Sequence, residues 1–282
     1  MKYEQEKLKF AKDLNEFAST LDNAIEAGGE WAIRGFIDVF KNVYTISSDT
    51  KVISKILELC LFPHFLAFAD RIGYRIELAE KQNWYPDLSF VKLGNEDVKF
   101  AVDLKSTYRD EENSDKCNGF TLGSHGEYFI NRSSTKNIQY PYDEYSGHFC
   151  LGIIYSRHVL DKFEETRIYS VDEVRDIPSV AGNFVFFAVE KWRIASDKGG
   201  SGNTANIGSI KSIPDILSGN GVFALAGEEF FDEYWANYGK LEVRTSDGKI
   251  KKLTSFEELV KFKNLPLSLS NKPLERKRRK NV

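Results

Sequence analysis

Cysteine and histidine are scarce in this sequence, with three and four copies among 282 residues. The cysteines Cys60, Cys117 and Cys150 are far apart, no CxxC pair occurs, and the histidines are scattered. We therefore expect no zinc site, because structural zinc needs closely spaced ligand pairs. Separated cysteines in odd number also indicate a reducing compartment, and we expect a cytoplasmic protein.

Long apolar runs are also missing. No stretch of 18 or more apolar residues occurs, so we expect no membrane span. The opening segment MKYEQEKLKF is too charged for the apolar region of a signal peptide. With 41% hydrophobic and 29% charged residues, the composition is that of an ordinary globular protein whose chain is long enough for a sizeable core.

An excess of positive charge is missing from the sequence as a whole, which carries a net charge of -3. The distribution is uneven, however. Residues 271–282 contain six basic residues and one acid, Glu275, and so sum to +5, which leaves -8 for the rest. A basic tail on an acidic body can bind a polyanion. The alternative is a solvated chain end without a partner.

The order of patterns along the chain predicts one α/β domain over residues 1–282, since no linker divides it. Apolar residues recur at three- and four-residue steps from Leu8 to Ile25 and predict an N-terminal helix over residues 3–27. Residues 31–46 are rich in Ile, Val, Phe and Tyr and predict a strand.

A second helix is predicted after Asp49, which lies in an N-cap signal. This helix runs to about Cys60, and Pro63 either kinks it or opens a further helix that reaches about Arg71. Later segments predict five strands, which span residues 74–79, 85–93, 98–108, 148–156 and 183–194. A long loop of small and polar residues is predicted over 197–209, and a short aromatic helix over 228–238.

The strongest chemical signal is the pair of segments Pro86-Asp87 and Asp103-Leu104-Lys105. Side chains alternate between the two faces of a strand, so Asp103 and Lys105 share one face. In an antiparallel hairpin, opposed residues have numbers with a constant sum. Asp87 and Asp103 sum to 190, whose midpoint, residue 95, lies in a Gly-Asn turn. A simple hairpin therefore places the two aspartates opposite each other, with β-carbons about 5 Å apart.

Two carboxylates held this close repel each other unless a divalent cation lies between them. Oxygen ligands with open coordination positions suit Mg²⁺, which retains waters and accepts phosphate oxygens. Lys105 on the same face can stabilise charge on a phosphorus under attack or polarise the attacking water. The alternative is that this Asp/Lys strand face is a solvated sheet surface.

Seven blocks of the sequence carry a family resemblance through their common order and spacing. They are SDTKV at 48–52, a helical segment ending in Glu58, QNWYPD at 82–87, AVDLKSTY at 101–108, FTLG at 120–123, STKNIQYPYDEY at 134–145 and GSGNTANIGSI at 200–210. Over roughly residues 48–238 the chain resembles type II restriction endonucleases of the EcoRV type, within the PD-(D/E)xK nuclease family. Residues 1–30 and the region after about 240 match poorly.

The resemblance implies a fold with a mixed central sheet flanked by helices, and a homodimer that grips double-stranded DNA. It gives Asp87 and Asp103 the role of Mg²⁺ ligands and Lys105 that of the catalytic lysine. Glu58 corresponds to an acidic residue that assists the metal site from the preceding helix. For Glu58 the alternative is a solvated helix carboxylate.

The resemblance also implies the DNA contacts. The loop Gly200, Ser201, Gly202, Asn203 and Thr204 matches a major-groove recognition loop. Its glycines let the backbone approach the bases, and Asn pairs well with adenine. The alternatives are a flexible surface loop or a phosphate-binding glycine loop.

Further contacts come from three other segments. Gln82 and Asn83 match a minor-groove loop, while Lys136 and Arg157 match basic residues near the phosphates, which position the protein without reading sequence. The chain departs from the pattern at Lys81 and Trp84, and it is about two residues longer between 123 and 136.

The implied activity is Mg²⁺-dependent hydrolysis of both strands at a short palindromic site, GATATC or a similar sequence, leaving 5′-phosphates. A cognate DNA methyltransferase is expected to protect the host genome. The alternatives are a repair or nicking nuclease of the same fold and a DNA-binding protein without catalysis. The recognition loop argues against the first of these, and the intact Asp/Asp/Lys set argues against the second.

Overall fold

The protein is described by a computed structural model that covers residues 3–81, 83–200, 205–244 and 248–271. The α-helices are α1 (Glu4–Ala18), α2 (Asp22–Ile25), α3 (Thr50–Ile72), α4 (Glu127–Ile130), α5 (Lys162–Thr166), α6 (Ile213–Leu217), α7 (Glu228–Asn237) and α8 (Phe256–Phe262). Short 3-10 helices span Tyr142–Glu144, Val171–Asp176, Lys191–Ile194 and Leu267–Leu269.

The strands fall into one large and three small sheets. They are β1 (Glu26–Ala27), β2 (Glu30–Trp31), β3 (Gly35–Ile37), β4 (Asn42–Thr45), β5 (Tyr74–Glu77), β6 (Leu88–Lys92), β7 (Lys99–Tyr108), β8 (Thr121–Ser124), β9 (Gly147–Arg157), β10 (Ile168–Ser170), β11 (Ala181–Glu190), β12 (Ala195–Gly199), β13 (Asn206–Ser209), β14 (Glu242–Arg244) and β15 (Ile250–Lys252).

The large sheet has the order β1-β2-β11-β9-β7-β6-β5. Its central strands β7 and β9 run parallel, while the other neighbours run antiparallel. The predicted mixed α/β sheet is therefore confirmed. The smaller sheets have the orders β10-β4-β3, β12-β13-β8 and β14-β15.

Hydrophobic cores cover both faces of the large sheet, because alternate residues of its strands point to opposite sides. Phe100 and Val102 of β7 pack in one core with α1 and α3. Ala101 of β7 and Cys150 of β9 pack in the other, which includes α7 and α8. The chemical residues of β7 thus lie in a strand that is covered on both sides.

Helix α3 is a core helix of this arrangement. By length and composition it also meets the criterion for a membrane span, with a mean hydropathy of 1.7. One such helix is weak evidence, since core helices pass the same test. Ile53, Leu57, Leu61 and Phe65 are fully buried in the core that contains the sheet residue Phe100, so we assign α3 to the core.

Pro63 lies inside α3, which runs unbroken from Thr50 to Ile72. The predicted end near Cys60 and the predicted further helix opened by Pro63 are therefore wrong. The helix begins after Asp49, whose side chain accepts hydrogen bonds from the Lys51 and Val52 amides, and it ends at Gly73 with a φ of 79°. An interior proline costs about 3 kcal/mol. Apolar side chains buried on both sides of Pro63 offset that cost.

The helix predicted over residues 3–27 is shorter in the structure. It ends at Ala18, and α2 and β1 follow. At this point the Ser19 and Thr20 hydroxyls donate to the carbonyls of Glu16 and Phe17. Such side-chain bonds compete with helix continuation.

The single strand predicted over residues 31–46 is also wrong, because this region contains the three strands β2, β3 and β4. The Asp38 carboxylate accepts hydrogen bonds from the Phe40 and Asn42 amides at 2.9 Å each. Lys41 adopts a φ of 66°. These two features turn the chain between β3 and β4.

The segment predicted as one loop over 197–209 contains strand residues at both ends. Strand β12 reaches Gly199, and β13 covers Asn206–Ser209. The two strands pair antiparallel, with Ala195 opposite Ser209 and Gly199 opposite Ile207. The small and polar composition of this segment concealed its backbone pairing.

We predict that Gly152→Ala lowers the free energy of unfolding by about 1–3 kcal/mol, because it overpacks the core. Gly152 lies in β9 opposite Phe187, and an added β-carbon would lie 2.0 Å from Phe187 Cζ. Urea denaturation measures the effect. The same substitution in a Phe187→Leu background is the control and should cost clearly less. Equal costs in the two backgrounds would contradict the steric explanation.

Candidate active site

The register between β6 and β7 brings the two aspartates together. The pairs Leu88–Val102 and Phe90–Phe100 each sum to 190, so the predicted register is confirmed. Asp87, one residue before β6, therefore lies beside Asp103. Its amide donates to Asp103 Oδ1 at 3.3 Å, and the Leu104 amide donates to Asp87 Oδ2 at 2.8 Å.

Lys105 lies between the two carboxylates. Its Nζ is 3.2 Å from Asp87 Oδ2 and 3.1 Å from Asp103 Oδ2. The Asp103 side chain is buried, with 8% of its surface exposed, while those of Lys105 and Asp87 are partly exposed. This burial contradicts the alternative of a solvated sheet surface.

Burial and charge change the protonation behaviour of this cluster. Burial, followed by the charge of Asp103, raises the pKa of Asp87 to about 6, although Lys105 and the Leu104 amide act in the opposite direction. Burial alone lowers the pKa of Lys105, but the charges of Asp103 and Asp87 outweigh it, so the pKa of Lys105 is raised. Lys105 therefore stays an ammonium at neutral pH.

An open pocket of about 560 Å³ lies over the cluster and is lined by Asp87, Asp103 and Lys105. Of the predicted DNA contacts, the structure brings Asn83 and Lys136 to the same pocket. Sequence reasoning missed several lining residues from β8 and α4, namely Thr121, Ser124, Glu127 and Tyr128. Of these four, only Thr121 lies in a block quoted above, FTLG at 120–123, and no single residue of that block stands out.

Glu58 lies beside the cluster but does not complete a ligand set. It lines a cavity of about 100 Å³ together with Asp87 and Lys105. Its Oε2, however, accepts a hydrogen bond from Lys55 Nζ at 2.9 Å. Within the part of the chain that the structure describes, no three His, Cys, Asp or Glu side chains are grouped to hold a metal ion. Leu59, the next residue of α3, is 62% exposed.

The two predicted phosphate contacts differ in their positions. Lys136 lines the pocket and forms an exposed ion pair with Glu127 at 2.6 Å. Arg157, at the end of β9, is not among the residues that line this pocket. Its Nη2 is 3.2 Å from Glu111 Oε1, and its guanidinium lies 4.5 Å from the Tyr108 ring centre.

The predicted recognition loop begins against the pocket wall. The Gly200 amide donates to the Asn206 carbonyl at 2.8 Å. A β-carbon at Gly200 would lie 3.2 Å from Oγ1 of Thr121, a pocket residue. The remaining predicted contacts lie outside the described residues: Gln82, Ser201, Gly202, Asn203 and Thr204.

Comparison with known proteins gives two matches. The family model of restriction endonuclease EcoRV matches residues 27–264, a span that contains the β6–β7 cluster and the pocket. The chain is also 37% identical over 231 residues to the type II restriction enzyme EcoRV of Escherichia coli. The aligned region covers 81% of this chain and 91% of that relative.

We predict that Asp87→Asn stabilises the protein at neutral pH in the absence of divalent ions. Folding raises the pKa of the Asp87 carboxyl from its ordinary value of about 4 to about 6. Between these two pKa values the unfolded state loses its proton first, so the free energy of unfolding falls as pH rises from about 4 to about 6. The variant should therefore gain on the order of 2 kcal/mol at pH 7.5 and almost nothing at pH 4. Chemical denaturation in a chelating buffer at both pH values measures this. A gain that is the same at both pH values, or a loss at pH 7.5, would refute the argument.

Proposed function

The chain belongs to the EcoRV family of type II restriction endonucleases, and from this we propose that it cleaves both strands of a short palindromic DNA site. The proposed site is GATATC or a closely similar sequence, the proposed cofactor is Mg²⁺, and the products carry 5′-phosphates. As a family member the protein is a DNA-binding nuclease. The observation that carries the chemical proposal is the Asp87–Lys105–Asp103 cluster in the open pocket.

Asp87 and Asp103 are the residues that would hold Mg²⁺. The two carboxylates lie side by side, with Asp103 accepting from the Asp87 amide and Asp87 from the Leu104 amide. Burial and the charge of Asp103 raise the pKa of Asp87 to about 6, and the combined negative charge of the pair suits a divalent cation. When bound, Mg²⁺ polarises a phosphate oxygen and acidifies a coordinated water. Glu58 would assist from α3 by exchanging its partner Lys55 for this site.

In the absence of a metal ion Lys105 is a cation, because, against the effect of burial, the charges of Asp103 and Asp87 raise its pKa. We assign it the role of a cation rather than of a base. Its ammonium would donate to a non-bridging phosphate oxygen as negative charge accumulates there during attack. The burial of the cluster strengthens this interaction, since water competes less in a partly buried site. The contacts of Lys105 with both aspartates orient the ammonium before DNA arrives.

The DNA contacts are assigned by the resemblance and by the pocket. Lys136 would exchange Glu127 for a phosphate, and Arg157 would contact a phosphate outside the pocket. Gln82 and Asn83 would reach the minor groove. The recognition loop, Gly200, Ser201, Gly202, Asn203 and Thr204, would read the major groove, with Asn203 pairing to adenine.

A homodimer is proposed because a palindrome has two-fold symmetry and each strand needs one active site. An exposed apolar row supports it. Phe36, Tyr44 and Ile168 lie opposite one another across β3, β4 and β10 and are 51%, 42% and 56% exposed. On the opposite face of this small sheet Val43 and Tyr169 are buried, while Ile37 at its edge is 62% exposed.

The cellular setting follows from the activity. A nuclease that cuts a short site would attack the host genome, so we propose a cognate methyltransferase that modifies the same site. Both proteins would act where the chromosome lies, and the cytoplasm is the proposed compartment.

The test of the activity uses plasmid DNA with and without Mg²⁺. Discrete fragments that appear only with Mg²⁺ are expected. Nicked circles alone would indicate a nicking nuclease, and a band shift without cleavage would indicate a binding protein. Sequencing the fragment ends then gives the recognition site and tests GATATC directly.

We predict that Asp103→Asn and Lys105→Met each reduce the rate of cleavage by at least about a thousandfold, while the protein still folds and binds its site. The first change removes a metal-binding carboxylate and the second a charge that acts in the transition state. Single-turnover cleavage and circular dichroism measure the two properties. Lys12→Met, which removes an exposed lysine of α1, is the control. A variant that cleaves at near wild-type rate would lose its assigned role.

We predict that Ile168→Asp converts the dimer into a monomer, because a charge placed in an apolar interface loses its hydration without a partner. Sedimentation velocity measures the mass of the particle. Ile250→Asp is the matched control, since Ile250 is 63% exposed on β15 and should tolerate the charge. A dimer that persists in Ile168→Asp, or a monomeric wild type both free and on DNA, would overturn this interface.

A further inference from the structure

A buried lysine lies behind the active site, and it forms no ion pair with any residue that the structure describes. Lys191 opens the 3-10 helix that follows β11 and is 3% exposed. Among the described residues its Nζ has no hydrogen-bond partner. Burying an ammonium without partners is costly, and lysines are almost never buried in this way. Lys191 therefore calls for a role beyond packing.

Aromatic rings surround the Lys191 ammonium. Its Nζ lies 4.9 Å from the ring centre of Tyr85, 5.2 Å from that of Tyr142 and 5.8 Å from that of Phe129. Faces of aromatic rings attract cations at such distances. The cage is itself fixed, because the Tyr85 hydroxyl bonds to Nδ1 of His148 at 2.9 Å and Tyr142 stacks on the same imidazole at 3.7 Å.

The sheet register places Lys191 on the same face as Asp103. Asp103 lies opposite Cys150 of β9, which lies opposite Val189 of β11. Opposed residues share a face, and so do residues two apart on one strand. Lys191 lies one residue beyond the end of β11, and its cage rings Tyr85, Phe129 and Tyr142 pack in the same core as Ala101 and Cys150. Lys191 is therefore on the side of the sheet that carries Asp103, two strands away.

The charges of this region are coupled to Lys191. Burial lowers the pKa of Lys191 to about 8, and among the acidic groups that oppose this shift Asp103 acts most strongly, before Asp232 and Glu228. The side chain is therefore mostly charged at pH 7. Coupling between two sites is reciprocal, so the Lys191 charge must act on whatever binds at Asp103.

We propose that Lys191 is a positioning residue, whose caged positive charge lowers the negative potential at the Asp87–Asp103 pair and so limits its affinity for divalent cations. The proposal rests on the proposed metal-dependent function. The active site then contains two acids and two lysines on one sheet face, of which Lys105 contacts both acids and Lys191 acts from a distance.

The test measures Mn²⁺ binding to the DNA-free protein from the electron paramagnetic resonance signal of the free ion. Lys191→Met, which keeps the apolar stem, should bind Mn²⁺ about threefold to tenfold more tightly, because a unit charge nearby has been removed. Lys191→Arg keeps the charge and should bind as the wild type does. Asp103→Ala should bind least, which locates the ion.

Lys7→Met is the matched control. Lys7 is also buried, but it has Glu190 and Glu228 as partners. Its loss should reduce stability and leave the affinity for Mn²⁺ unchanged. A purely structural role of Lys191 would make Lys191→Met behave like Lys7→Met.

A second measurement needs no variant. In wild-type protein labelled with ¹³C at the lysine ε-carbons, the caged Lys191 should have the signal displaced most by ring currents. Titration with Mg²⁺ should shift this signal and leave that of Lys7 in place.

The outcomes separate the two proposals. Equal Mn²⁺ affinity of wild type and Lys191→Met, or a Lys191 signal that does not respond to Mg²⁺, would overturn the role of Lys191 alone. A wild-type protein that binds no Mn²⁺ and does not cut plasmid DNA would overturn the proposed function as well.

Discussion

The antiparallel register of β6 and β7 is the constraint on which the site depends. Their opposed residues sum to 190, and the side-chain period of two makes any slip of one residue turn Phe100 and Val102 out of the core. Because both residues are fully buried, the apolar core holds the register. The position of Asp87 beside Asp103 and Lys105 therefore follows from the packing of residues that take no part in the chemistry.

The same packing forces like charges together. Asp103 is buried and Asp87 has a raised pKa, so the cluster costs stability that the surrounding core must supply. Lys105 offsets part of this cost by contacting both acids. A cluster arranged for stability alone would replace such charges with apolar groups, which are often at least as stable. The presence of three charged side chains, Asp87, Asp103 and Lys105, at a strand that is covered on both sides therefore favours a role in catalysis.

The sequence predicted the parts of the site that depend on local pattern. The alternation in β7 and the turn near Asn95 are contained in neighbouring residues, and they sufficed for the register. The hairpin at Asp38 was missed because its turn depends on one side chain bonding to two amides. The unbroken α3 and the Lys136–Glu127 pair depend on tertiary contacts, which no local pattern contains. The caged Lys191 requires three elements that are distant in sequence.

The backbone joins the proposed DNA contacts to the chemical centre. The Tyr85 amide donates to the Asn137 carbonyl at 3.0 Å, and the Gln139 amide donates to the Tyr85 carbonyl at 2.8 Å. Asn137 and Gln139, which follow Lys136, are thus paired with Tyr85, which lies two residues before Asp87. A phosphate that draws Lys136 away from Glu127 would move the backbone that is hydrogen-bonded to Tyr85, and with it Asp87. Asp103, in contrast, is held in the middle of the sheet. Of the two acids, Asp87 is therefore the one whose position can respond to bound DNA.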